Sequence, residues 1–269
     1  MIRGRNVSFE PIKAAVPIDP GALVMLDRKA AFSDVNLRAD RAPFQEVRKQ
    51  KSSLEIRKMY IVQRTMTFVR GFLLSYGPTK VKKALWDKEF SGDKWNFIDD
   101  TADDCIYPHL EKHARGGDIL DLGCGPGNTA NELADKAYRS YLGVDISESA
   151  LAKGVRRTNE SGRTAKNRFV CSDFLSYMPT QKFDVILFRE SMYHIPYGSV
   201  MELLNKYSKY LKDGGVFIVR LYLGDRQSGK MKFRVKRKID LINTKFNVLE
   251  SIQYDTLGSP TVLVFRPGP

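Results

Sequence analysis

The sequence predicts a doubly wound α/β fold, and two observations carry that prediction. From Asp118 onward, short apolar runs alternate with helical patterns, and three successive runs end on an acid: Asp121, Asp145 and Asp173. Alternation of this kind implies a parallel sheet covered on both faces, with ligands at the carboxyl edge of its strands.

Element by element, strands are expected at 118–122, 140–144, 168–171, 183–188 and 216–221, and helices at 128–137, 149–159 and 199–211. The tail changes character. Segments 248–256 and 261–265 flank Gly258-Ser259-Pro260 and read as a terminal hairpin. Ahead of this region, residues 1–44 are broken by Pro11, Pro17, Pro20 and Pro43 and read as an arm. From Phe44 to Ser75, Val47, Leu54, Met59, Val62, Met66, Val69 and Leu73 recur at mostly three- and four-residue steps among Lys and Arg. That spacing predicts a basic amphipathic helix, or two, ended by Gly77-Pro78. Its apolar side either docks on the main domain or meets a membrane surface. The aromatic, acidic stretch from Trp86 to Pro108 reads as a short helix and loop covering something, with Trp86, Phe90 and Trp95 as lid candidates. The expected division is a basic N-terminal extension over 1–85 and an α/β domain over 86–269.

Composition narrows the class. The 269 residues are 42% apolar and 28% charged, which excludes collagenous and wholly disordered chains. No apolar run approaches the roughly 20 residues of a membrane span, and no apolar segment follows the first residues as a secretory signal requires. Three widely spaced cysteines (Cys105, Cys124, Cys171) suggest neither a disulfide framework nor a metal site, so no metal and a cytoplasmic setting are expected. The net charge of +13 is concentrated at the ends. Residues 1–85 hold 17 Lys/Arg against 7 Asp/Glu, and residues 224–269 hold 9 against 4. Such ends suit nucleic acid, anionic lipid or a phosphorylated substrate, or simply solubility.

The strongest local signal is Asp118-Ile-Leu-Asp121-Leu-Gly123-Cys124-Gly125-Pro126-Gly127-Asn128, a strand running through three glycines into a helix. Glycines permit a sharp turn and a close ligand approach. The dinucleotide fingerprint fails because Asn128 stands where its third glycine belongs, and no P-loop Lys-Ser/Thr pair follows. An acid at the end of the first strand suits a ligand ammonium group better than a pyrophosphate. Asp145, at the end of the second strand, can accept from a ribose diol. Ile146 can pack on an adenine face, and Asp173 can accept from its amine.

These segments resemble the core of class I S-adenosylmethionine-dependent methyltransferases, of the type acting on small molecules or glycans. Residues 121–127 are similar to the family's first motif, 143–147 to its second and 172–174 to its adenine-binding motif. Residues 183–194 resemble its fourth strand and the following loop, and 211–215 its turn into the fifth strand. The resemblance implies a seven-stranded sheet in the order 3-2-1-4-5-7-6 with the last strand antiparallel. It implies S-adenosyl-L-methionine as cofactor, bound by Asp121, Gly123, Cys124, Gly125, Asp145, Ile146, Asp173, Phe174 and Arg189. His194, Glu190 and Tyr193, just past the fourth strand, are the catalytic candidates. Glu190 could equally be engaged in a salt bridge with Arg189.

The expected activity is methyl transfer to an oxygen or nitrogen of a small-molecule or saccharide acceptor, one that could carry a phosphate. Peripheral contact with the inner membrane surface is a further expectation. The alternative is an RNA methyltransferase gripping phosphates with its basic ends. No Asn/Asp-Pro-Pro-Tyr/Phe motif follows the fourth strand, which argues against base-flipping amino-methyltransferases. A partner-binding scaffold without catalysis is disfavoured by the intact acids of the glycine loop.

Overall fold

The computed structural model describes residues 53–92, 101, 103–223, 229–256 and 259–268. The predicted arm over 1–44, the start of the basic helix and Trp95 lie outside the described residues. Helix α1 spans Ser53–Tyr76 and stops where expected: Gly77 N donates to Leu73 O at 2.8 Å, and Pro78 follows. Proline then opens α2 (Thr79–Phe90), because its fixed φ suits a helix start. The division drawn at residue 85 therefore falls inside a helix. Helix α3 (Ile106–Ala114) extends well beyond the short helix and loop expected before Pro108. Pro108 sits in its first turn, where a missing N–H costs nothing.

The strands that follow are β1 (Asp118–Leu122), β2 (Ser140–Asp145), β3 (Asn167–Cys171), β4 (Phe183–Arg189), β5 (Leu211–Tyr222), β6 (Asn247–Gln253) and β7 (Pro260–Arg266). The helices between them are α4 (Asn128–Glu132), α5 (Glu148–Glu160), α6 (Val200–Ser208) and α7 (Gly229–Lys245). Four departures from expectation have local causes. Helix α4 ends five residues in, because Leu133 (ψ 142°) and Ala134 (ψ 134°) turn extended before a short 3₁₀ turn at Asp135–Ala137. Strand β5 runs through the expected Leu211–Gly215 turn, absorbing the extra residues as an irregularity opposite Phe183–Val185 with Gly214 at φ 76°. Helix α7 falls where no helix was expected, and the hairpin's first strand ends at Gln253.

The sheet order is β3-β2-β1-β4-β5-β7-β6, and β7 runs antiparallel to both of its neighbours, as the resemblance implied. Period-two alternation along the strands divides the core into two layers. On one face Leu120, Ile186, Phe188, Phe217 and Val219 pack with Leu204 and Tyr207 of α6 and Val235, Ile239 and Ile242 of α7. On the other, Ile119, Val185, Leu187, Val216 and Ile218 pack with Ile106 and Leu110 of α3, Ala130 of α4 and Leu151 of α5. This sandwich fixes the carboxyl ends of β1, β2, β4 and β5 side by side. Only the C-terminal end of α1 joins it. Leu74 is buried, whereas Val62, Met66 and Val69 of the predicted docking stripe are exposed.

Candidate active site

Strand β1 delivers Asp121 to the carboxyl edge, 1% exposed. Tyr141 of β2 donates its hydroxyl to Asp121 Oδ2 at 2.7 Å, while Asp121 Oδ1 is buried without a hydrogen-bond partner. Burial pushes this carboxyl up to about pKa 6, against the pull of Tyr141, Arg189 and Thr129. A second buried oxygen without a partner, Ser191 Oγ, lies beyond β4 beside Gly123. Each is a buried polar atom left unpaired by the chain, which suits a ligand partner.

Two glycines line this edge. Gly123 has φ 81°, and a Cβ there would stand 2.4 Å from Ser191 Cβ. Gly125 has φ 54°, and a Cβ there would meet only the Phe90 ring, at 3.7 Å. A branched side chain at either position would meet unfavourable backbone, and at position 123 Ser191 as well. Between them Cys124 is buried, which raises its thiol pKa and makes it a packing group.

Asp145 ends β2 with each carboxylate oxygen already holding one backbone donor. Gly125 N donates to Oδ2 and Ser147 N to Oδ1, both at 2.9 Å. One lone pair on each oxygen remains, enough for a diol. Ile146 beside it is half-buried, as are Phe174 and Asp173 beyond β3. Phe174 packs edge-on against Phe188 and lies within 3.6 Å of the Gly123 Cβ position. Asp173 is engaged: its Oδ2 accepts from Lys82 Nζ and Thr79 Oγ1 of α2, each at 3.4 Å, and its Oδ1 from Leu175 N at 3.0 Å.

Helix α2 thus crosses the carboxyl edge from Asp173 to the loop after β4. Asp87 accepts from Ser147 Oγ at 2.8 Å, Phe90 approaches Gly125, and Trp86 meets His194 edge-on at 5.5 Å between centroids. The lid role considered for Trp86 and Phe90 has this geometry behind it.

The three catalytic candidates separate. Glu190, at φ 57° in the left-handed region, accepts from Arg220 Nη1 and from the Tyr193 hydroxyl. Tyr193 also accepts from Tyr222 N at 2.6 Å, so neither group stands free. Burial raises both pKa values, keeping Tyr193 a phenol. The partner of Glu190 is Arg220 of β5, not Arg189. Arg189 instead donates to Asp104 Oδ2 at 2.8 Å, Tyr107 Oη at 3.0 Å and Thr129 Oγ1 at 3.3 Å, and Arg220 Nε meets Asp104 Oδ1 at 2.9 Å. Burial would raise the Asp104 pKa, but the two guanidiniums outweigh it and hold it low. His194 faces α2, and burial, with Arg70 and Lys238 nearby, lowers its pKa to about 4. Lys238 of α7 fixes its backbone by donating to Met192 O at 2.6 Å and Tyr193 O at 3.2 Å.

Sequence reading missed Tyr141, Asp104 and Arg220. The signal for Arg220 was present, a cation within the otherwise apolar run Val216–Leu221. Among the described residues no cluster of His, Cys, Asp or Glu could hold a metal ion.

Residues 119–215 match the family model described as a methyltransferase domain. Over that span the chain is similar to a methyltransferase domain. S-adenosylmethionine is the cofactor of that family. Among solved structures, the chain is similar to N-methyltransferase NodS from Bradyrhizobium japonicum WM9 in complex with S-adenosyl-L-homocysteine. The TM-score is 0.55 at 15% identity, covering 70% of this chain and 98% of that one, a likeness of fold. Among curated proteins, it is 30% identical over 127 residues to phosphoethanolamine N-methyltransferase 2 of Caenorhabditis elegans, covering 46% of this chain and 28% of that protein. It is 35% identical over 81 residues to the ubiquinone biosynthesis O-methyltransferase of Methylococcus capsulatus, covering 30% of this chain and 34% of that protein. The chain spans about half or less of the length of the curated relatives it matches.

Proposed function

We propose that this chain is an S-adenosylmethionine-dependent methyltransferase acting on an oxygen or nitrogen of a small-molecule acceptor. The observation that carries this reading is Asp121: a buried carboxylate oxygen without a partner, at the mouth of a glycine turn whose middle amide holds the second acid, Asp145. These residues fit the cofactor. Asp121 Oδ1 would receive its ammonium group, the free lone pairs of Asp145 its ribose diol, and bare Gly123 and Gly125 would border its aminoacyl arm. Ile146 and Phe174 would flank the adenine.

When bound, S-adenosylmethionine supplies an electrophilic methyl group on a sulfonium, and positioning then provides most of the rate. On the acceptor side, Glu190 and Tyr193 are tied to Arg220 and Tyr222, and they shape the wall. His194 is neutral above about pH 4. Its ring lone pair would accept from the acceptor's O–H or N–H and orient it for in-line attack. As a base it would be weak near neutrality, since base catalysis is strongest when the pKa lies near the working pH. The relatives named above include an N- and an O-methyltransferase, and both acceptor types are consistent with an orienting imidazole.

The test has two parts. Calorimetric titration should show S-adenosylmethionine binding that Asp121→Ala abolishes; no binding by the folded wild type would sink the reading. Incubation with methyl-labelled cofactor and a cell extract should then place label in the small-molecule fraction. Label in RNA would favour the nucleic-acid alternative. His194→Ala should lower turnover, as loss of an orienting contact does, with cofactor affinity unchanged.

A further inference from the structure

Helix α1 buries little of itself. Leu74 is buried and Arg70 pairs with Glu89 of α2, on the side of the helix that meets the domain. At 100° per residue, Ile61, Phe68, Phe72 and Tyr76 stack on the opposite side, with Val62 and Val69 beside them. All six are exposed, Phe68 by 73% and Tyr76 by 64%. A stripe of six exposed apolar side chains on one side of a helix, broken only at Thr65, exceeds what scattered surface residues explain.

The charge around the stripe indicates what it meets. Residues 57–76 contain Arg57, Lys58, Arg64 and Arg70 and no acid. Arg64 lies over the Tyr60 ring at 5.6 Å. The second flank repeats the pattern. On α7, exposed Phe233 stands among exposed Arg234, Lys236 and Arg237, and Arg237 lies 3.9 Å over the ring of exposed Tyr197. Both helices border the same loop after β4: α1 packs against Met192–His194 and α7 against Tyr197–Ser199. An apolar stripe flanked by cations and aromatic rings is the pattern of a segment lying in a lipid headgroup layer. Among the described residues no helix is long and apolar enough to cross a membrane, so the fitting mode is lying on the surface.

We infer that the face formed by α1, Tyr197 and the Phe233–Arg237 segment of α7 docks on an anionic lipid bilayer. Docked in this way, the loop carrying His194 opens toward the lipid, and the acceptor is an amphiphile resident in that layer. The acceptor part of the inference rests on the methyltransferase reading; the docking does not.

The test is co-sedimentation of the full chain with vesicles of phosphatidylcholine alone and of phosphatidylcholine with phosphatidylglycerol. Calorimetric cofactor titration on the same preparation separates the two readings. The wild type should pellet with anionic vesicles and much less with neutral ones, and should be released by salt. The double variant Phe68→Ser/Phe72→Ser changes only exposed side chains. It should lose vesicle affinity by at least about tenfold while keeping its cofactor affinity and melting temperature. A wild type that stays in the supernatant at low ionic strength overturns the proposal. So does a double variant that binds vesicles as the wild type does. A wild-type dimer that the same variant converts to monomer assigns the stripe to a second copy and overturns it too. RNA binding that the vesicles cannot displace assigns the cations to nucleic acid, with the same consequence. Vesicle binding without cofactor binding would leave the docking standing and sink only the methyltransferase reading.

Discussion

The two halves of the carboxyl edge are built to different degrees of completion. At the ends of β1 and β2, Asp121 and Asp145 are buried and held by Tyr141, Gly125 and Ser147, yet keep lone pairs unspent. At the ends of β4 and β5, Arg189, Arg220, Asp104, Glu190 and Tyr193 use one another as partners. The first half is a receptor that a ligand completes. The second is a wall tied together by ion pairs, with Arg220 Nε left short of a hydrogen bond, and it fixes where the loop carrying His194 stands. A buried polar group left without a partner marks where something binds, and a network of mutual ion pairs marks what must not move.

The largest effect is expected from breaking the wall. Arg220→Met removes a guanidinium 4% exposed and leaves Glu190 buried against Tyr193 alone. Unfolding in urea should show a loss of about 3–5 kcal/mol, the cost of uncompensated buried charge. A near-zero change would mean that the two halves do not differ in the way described. On the receptor side, Asp145→Ala should leave stability little changed and weaken S-adenosylmethionine binding by about 1.5–3 kcal/mol, read by calorimetry.

Acidity sharpens the contrast further. Burial keeps Asp121 neutral below about pH 6, whereas an ammonium group is held by the carboxylate. Cofactor affinity should therefore be flat above about pH 7 and fall about tenfold per pH unit below about 6. Asp121→Asn should bind weakly with no such slope. The smallest effect belongs to α2. Lys82→Met frees Asp173 from an ion pair 3.4 Å long, and cofactor affinity should tighten by less than about 1 kcal/mol, as befits a part-exposed pair. Weaker binding in that variant would show that α2 must hold Asp173 in order to build the site.

What was legible in the sequence follows the same division. The apolar runs of β1, β2 and β4 are short, continuous and bounded, so their existence can be read directly, whereas their order in the sheet came from the family resemblance. The glycine turn and its two acids lie within one local stretch each. The wall could not be read in this way, because Asp104, Arg189 and Arg220 come from segments far apart in the chain and only the fold brings them together. Helix α7 was hidden by its own charge. Val235, Ile239 and Ile242 carry helical spacing, but lysines and arginines crowd the positions between them. Helix α3 was hidden by Pro108, which marks a loop unless it falls in a first turn. The apolar spacing in α1 predicted the helix and its end correctly, yet said nothing of whether that side is covered. Periodicity reports that a face exists, and only packing reports its neighbour.

Trp86 is the sole tryptophan among the described residues, its ring edge-on to His194 and 5.7 Å beneath the Arg70 guanidinium. The seating of α2 over the glycine turn is therefore an optical quantity. An indole between an imidazole and a cation emits differently from one released to water, so opening and closing of this helix can be followed by intrinsic fluorescence without an attached dye. In a Trp95→Phe background the emission has a single source, and rapid mixing with cofactor would time the cover itself.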